Sequence, residues 1–258
     1  MPQLRGRRHP LFLRLTKPIA PVYPDAVTPV AWDDDEPIEE AEGVVYIVTR
    51  PCAQLRTWCS QLRKLHALDK THEVEEGVSR LSASPLRPAN QRALGTNLEM
   101  YSARDGRVQS VRSAESAFLT SELMAIVTEQ AGGPAVGFVS FSFKWWARAF
   151  DSEDDLVHLE VELGQAWIAP IFRGRRWGEA AAIAIAFAAK RHFDYIQDTT
   201  RWPLTFFTPL ELTVCADLYS QSGEALLGKC AEYVSIQFSF EPEPQRLEVS
   251  QIILDGRW

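Results

Sequence analysis

Leu156-Val157-His158-Leu159-Glu160-Val161-Glu162-Leu163-Gly164-Gln165-Ala166-Trp167-Ile168-Ala169-Pro170, continued by Ile171-Phe172-Arg173-Gly174-Arg175-Arg176-Trp177-Gly178, is the stretch that decides the fold. Positions 157, 159, 161, 163 and 167 are Val, Leu, Val, Leu and Trp, and their neighbours are His158, Glu160, Glu162, Gly164 and Ala166. A period of two predicts a half-buried strand with one polar face. Pro170 ends the strand, because proline donates no ladder hydrogen bond. After the Arg/Gly run, seven of the ten residues from Ala180 to Ala189 are alanine, the best helix former. Lys190, Arg191 and His192 are read as the C-terminal end of this helix, where positive charge suits the dipole.

Strand, short Arg/Gly loop, helix is an order with a chemical use. The first amides of a helix lack intrahelical partners and carry the positive end of its dipole. A small-residue loop lets a phosphate approach them. Arg173, Arg175 and Arg176 add forked donors, and residues 171–191 carry five basic residues against Glu179. The plain alternative is a solvated basic turn.

Outward from this centre the chain divides in two. Residues 1–42 hold seven of the 16 prolines, open with Arg5, Arg7, Arg8, Arg14 and Lys17, and close with acids from Asp33 to Glu42. Proline and like charge predict an extended arm. Residues 43–258 are read as one folded domain. Val44–Val48 is a β-branched strand, and Pro51 suits the first turn of a helix running to about Leu68. Cys52 and Cys59, seven apart, fall on one helix face. Pro85, Pro88 and Gly95 interrupt residues 69–110. Leu123–Gln130 and Ala135–Phe143 are predicted strands joined at Gly132-Gly133-Pro134. Leu210–Tyr219 alternates again, a helix starts near Gly223, and a strand covers Leu247–Leu254.

Composition narrows the function classes. The 258 residues are 46% hydrophobic and 24% charged, ordinary values for a chain with a core. A net charge of −7 gives no bulk attraction for nucleic acid. Four cysteines without a CxxC pair make no disulfide framework, and no window approaches a membrane span. A cytoplasmic, non-membrane protein is the expectation. The five histidines are scattered and HExxH, GxSxG, P-loop and GxGxxG patterns are absent, so no metal site is expected. Phe138–Phe143 is read as core alternation rather than an RNA-binding strand. Trp145-Trp146 cannot both point inward, which leaves rim packing or a substrate or homodimer surface for one of them.

Ile168-Ala169-Pro170-Ile171-Phe172-Arg173-Gly174-Arg175-Arg176-Trp177-Gly178-Glu179-Ala180 closely resembles the acetyl-CoA-binding motif of the Gcn5-related N-acetyltransferase (GNAT) superfamily. The motif covers about 15 residues, with Arg173, Trp177 and Gly178 in register and Arg176 where the family usually has its middle glycine. The resemblance implies an α/β fold, a splayed central mixed sheet flanked by helices. It also implies direct transfer of an acetyl group from acetyl-CoA to an amine on a small molecule or protein. Ile168, Arg173, Gly174, Arg175, Arg176, Trp177 and Gly178 would bind the cofactor, the Ile168 amide meeting the carbonyl oxygen. Glu162 matches the family's base, with Glu160 and His158 on the same strand face as alternatives and a merely solvated face as the plain reading. Tyr219 and Tyr233 are candidate acids, but Lys229 and Cys230 stand where the family places its helix tyrosine. Asp151, Glu153, Asp154 and Asp155 would suit a cationic acceptor, or form a solvated loop. A degenerate member that binds CoA or serves as an interaction protein is the rival expectation.

Overall fold

Why the chain folds as one layered unit is visible in its strand order. The computed structural model describes residues 25–30, 43–69, 86–92, 94–100, 117–148, 156–199, 208–217, 220–239 and 247–257. Among them run β1 (Val27–Pro29), β2 (Val44–Val48), α1 (Ala53–Leu68), the short α2 (Pro88–Arg92), β3 (Gly95–Met100), β4 (Ala117–Thr128), β5 (Ala135–Arg148) and β6 (Leu156–Ile168). Then follow α3 (Trp177–Thr199), β7 (Thr208–Asp217), α4 (Gln221–Ser239) and β8 (Leu247–Arg257). The strands form one mixed α/β sheet in the order β1-β2-β4-β5-β6-β7-β8. β2 and β3 share one edge of β4 end to end, β2 along Met124–Thr128 and β3 along Ala117–Glu122. Pairing is antiparallel from β1 to β6 and parallel from β6 through β7 to β8. Helices connect the parallel strands, as parallel pairing requires.

Helices cover both faces. On one face, α3 and α4 pack against Phe141, Phe143, Trp145, Leu159, Val161, Leu163, Leu212 and Val214. The alanines of α3 place little side chain between helix and sheet. On the other, Leu55, Trp58, Cys59 and Leu62 of α1 meet Tyr46, Met124, Ile126 and Phe138. Fully burying a side chain such as Leu or Phe contributes about 1.5–3 kcal/mol. Cys52 is the N-cap of α1, its Sγ accepting from the Leu55 N–H at 3.3 Å, so it caps the helix and Pro51 precedes the cap. Burial pushes the thiol of Cys59 up to about 11 and that of Cys230 to about 12, as suits packed, unreactive cysteines.

Several expectations change. The sheet extends into the segment read as an arm, since Val27–Pro29 pairs with Tyr46–Val48. Gly95–Met100 is a strand that the proline-broken sequence did not reveal. The alanine-rich helix does not end at His192: it continues to Thr199, so Lys190 and Arg191 lie mid-helix and gain nothing from its terminus. Lys190 instead pairs with Asp194 at 2.5 Å.

His192 is buried at 1% exposure. Its Nδ1 accepts the indole N–H of Trp145 at 2.8 Å, which leaves Nε2 to carry the proton and donate to Ser121 Oγ at 3.0 Å. Burial drives its pKa down to about 3, so the imidazole is neutral.

Trp167 does not share a face with Leu163. The β5–β6 register passes from Phe141↔Leu163 to Val139↔Ala166, so Ser140 opposes both Gly164 and Gln165. This is a β-bulge with its extra residue in β6. It turns Trp167 to the α1 side, while Leu163 stays on the α3 side. The Ser140 hydroxyl accepts from the Gln165 N–H at 2.8 Å and donates to the Gln165 carbonyl at 3.3 Å. A Cβ on Gly164 would fall 2.6 Å from that hydroxyl, so glycine alone fits without a shift.

Candidate active site

The bulge coincides with the end of parallel pairing. β6 and β7 are in register from Val157↔Leu210 to Leu163↔Ala216, and then β6 runs on to Ile168 beside β5 alone. Gly164–Ile168 thus has one paired edge and, among the described residues, one unpaired edge. Ala169 N–H donates to Val136 C=O at 2.9 Å, toward β5. Successive amides of a strand point to opposite edges, so the Ile168 N–H points to the side that β7 has left.

The turn that follows is strained at one position. Gly174 has φ +80°, natural for glycine, and Arg176 has φ +56°, the sole positive φ of a non-glycine among the described residues. A left-handed arginine costs about 1–2 kcal/mol. Arg176 therefore holds a backbone conformation that glycine would adopt without strain. The first hydrogen bond of α3 runs from Ala180 N–H to Arg176 C=O at 3.1 Å. The amides of Trp177, Gly178 and Glu179 therefore precede the helical ladder. Amides in such a turn form a concave donor surface for anions.

The three arginines do not stand as a bare positive patch. Arg173 donates from Nε to the Ile168 carbonyl at 2.9 Å and from a terminal nitrogen to Asp69 at 3.2 Å, fastening the turn to the strand end. Asp69, just after α1, also accepts the Trp167 indole N–H at 3.1 Å. Arg175 lies 3.5 Å from Glu129 and over the Phe172 ring. Arg176 Nε donates to Glu179 at 2.6 Å. Of the +4 that remains in residues 171–191 after Glu179 is counted, Asp69, Glu129 and Asp194 answer three charges. Tyr233, from α4, donates its hydroxyl to the other Glu179 oxygen at 2.6 Å. The bond from Arg176, then that from Tyr233, holds the Glu179 carboxyl down at about 2. Burial and the same Glu179 bond push the Tyr233 phenol up to about 12, a poor match for protonating a thiolate near 8.5. Trp177 is a core residue, 3% exposed, so only its backbone faces the turn. Its ring lies where a Cβ on Gly43 would be, which packs the start of α3 against the start of β2.

The predicted base faces the other way from α3. Glu162 accepts from Ser142 Oγ at 3.2 Å and pairs with Lys144 Nζ at 2.5 Å. Lys144 also pairs with Glu160 at 3.0 Å. Burial opposes the charge on Lys144, but the bonds to Glu162 and Glu160 outweigh it and raise the ammonium pKa. His158 Nδ1 lies 3.0 Å from Glu211. The strand therefore gathers His158, Glu160 and Glu162 on one polar face, as the alternation required. Sequence reasoning missed Lys144, Ser140 and Asp69; cross-strand register brings in the first two, and the end of α1 brings in Asp69. Tyr219, residues 151–155 and the Trp146 side chain lie outside the described residues.

Among the described residues no group of His, Cys, Asp and Glu could hold a metal ion, and no helix is long and apolar enough to cross a membrane. The chain matches no family model, and no curated protein matches it.

Proposed function

We propose that the chain is a GNAT-type N-acetyltransferase, moving an acetyl group from acetyl-CoA to an amine on a small molecule or protein. The observation that carries this reading is the junction of two features. The edge of β6 from Gly164 to Ile168, unpaired among the described residues, leads through Pro170–Phe172 into the left-handed turn and the amides that precede the α3 ladder. An extended acyl-pantetheine chain could hydrogen-bond along the strand edge while its pyrophosphate meets the amides of Trp177 and Gly178. The Ile168 N–H then stands where a thioester oxygen gains negative charge. The amine attacks the thioester carbonyl, a C–N bond forms and the C–S bond breaks. Glu162 takes the amine proton, which requires Lys144 to release the carboxylate it holds. The thiolate leaves with a proton from solvent or from the acceptor.

A second reading, CoA binding without transfer, is favoured by Arg176 occupying the glycine position and by the acid partners of all three arginines. Calorimetry with acetyl-CoA and a thiol-release assay against a panel of amines separate the two. Binding with turnover supports the transferase, binding without turnover on any amine supports the second reading, and no heat of binding removes both.

A further inference from the structure

We propose that the polar face of the central strands binds an oligoamine, a flexible chain with two or more ammonium groups. That this ligand is the acetyl acceptor rests on the transferase reading above; that it binds does not.

Two cross-strand rows define the face. Thr120, Lys144, Glu160 and Thr213 are aligned across β4, β5, β6 and β7, and Glu122, Ser142, Glu162 and Cys215 form the next row. Glu160 and Glu162 share the single ammonium of Lys144, with 24% and 44% of their side chains exposed. Two carboxylates and one ammonium leave a surplus negative charge on a half-buried surface. Lys144 shows what kind of group this cradle accepts, since its ammonium is held there against the cost of burial.

An independent observation points to a missing donor. Thr120 is 8% exposed, and its Oγ1 is buried without a hydrogen-bond partner among the described residues. It lies on this face, because its neighbour Ser121 reaches His192 on the opposite one. A buried hydroxyl without a partner costs about 1–3 kcal/mol, and an ammonium N–H would satisfy it. Further carboxylates stand on the same face of β7 and β8 at Glu211, which also holds His158, and at Asp255. Rows are about 6.8 Å apart along a strand and strands about 4.8 Å apart. One ammonium can bridge Glu160 and Glu162, as that of Lys144 does, but cannot also reach Asp255 two strands away, whereas several on one flexible chain can.

The test is calorimetry on the full chain at low ionic strength with spermidine, without acyl donor. Tetralysine is a second probe and 1,8-octanediol a neutral control. Spermidine or tetralysine is expected to bind and the diol not, the tighter of the two naming a free polyamine or a peptide as the source. Glu160→Gln and Glu162→Gln should each weaken binding about fivefold, the scale of one half-exposed ion pair. Lys144→Met should strengthen it by a similar factor, because it removes the competing ammonium. Absence of binding by both cations, equal binding of the diol, or weakening by Lys144→Met overturns the proposal. Acetyl-CoA titrated separately keeps the two claims apart. Spermidine binding without acetyl-CoA binding ends the transferase reading and leaves the cation site.

Discussion

The two faces of strands β4 to β6 are built from alternate residues of the same chain, yet they treat ionisable groups in opposite ways. Against α3, Ser121, Trp145 and His192 are hydrogen-bonded to one another and the imidazole is kept neutral. On the reverse, Lys144 is kept charged between Glu160 and Glu162. Burial opposes charge in both places. The difference is the partner: Trp145 and Ser121 offer neutral dipoles, while the glutamates offer full charges. A face sealed by helices tolerates a titratable group only in its neutral form, and a face with surplus carboxylate is suited to receiving cations.

The contrast can be broken most directly from the dry side. Trp145→Ala should cost about 3–5 kcal/mol through the cavity and the orphaned imidazole, read as a fall in the urea midpoint. Thr120→Val, on the polar side, should raise the midpoint by the equivalent of about 1–3 kcal/mol, because it removes an unpartnered buried hydroxyl; an equal loss in both variants would erase the distinction. Next in size is catalysis. Glu162→Gln should slow amine-dependent thiol release about 100-fold, near 2.7 kcal/mol, with acetyl-CoA affinity unchanged. Undiminished turnover would remove Glu162 as the base.

The pH dependence sharpens the same comparison. The unfolded chain protonates His192 below its ordinary value near 6.5, and the folded chain resists until about 3. Stability should therefore fall by about 1.4 kcal/mol per pH unit as pH drops through that window. Denaturant titrations at several pH values would show the slope, and His192→Gln should flatten it. The smallest effect concerns the turn. Arg176→Gly should be about 1 kcal/mol more stable than Arg176→Ala, reversing the usual helix-region preference, because only glycine is unstrained at φ +56°. If alanine proves the more stable, the left-handed assignment is wrong.

The strands from Val44 and Leu210 and the motif strand were legible, because alternation is local and each buries one face. The helix from Ala53 was legible from its three-to-four spacing. The end of α3 was not: Lys190-Arg191-His192 looks like a terminus, but His192 is drawn inward by Trp145, and the helix continues beneath it. The bulge was equally hidden, since its cause, the Ser140 hydroxyl, lies on another strand. For the site, the arginines were visible as a cluster. Their partners Asp69, Glu129 and, through Tyr233, α4 come from distant segments, and no spacing rule connects them.

The bulge at Gly164 and Gln165 also determines how the chain responds to changes in length. Leu163 anchors β6 to the α3 layer and Trp167 anchors it to the α1 layer, with one extra residue between them to reverse the parity. Deleting Gln165 would restore uninterrupted alternation, and every side chain on one flank would exchange layers. Trp167 would leave its partner Asp69, and the strand end would carry the arginine turn with it. A single-residue deletion there should abolish the soluble fold. A deletion in the exposed Ala131–Gly132 turn should cost less, because it lies outside the paired residues of β4 and β5 and forfeits chiefly the bond from the Gly132 N–H to the Tyr46 hydroxyl. Recovery of soluble protein from the two deletions distinguishes a structural frame, which must be read in register, from a loop that need not be.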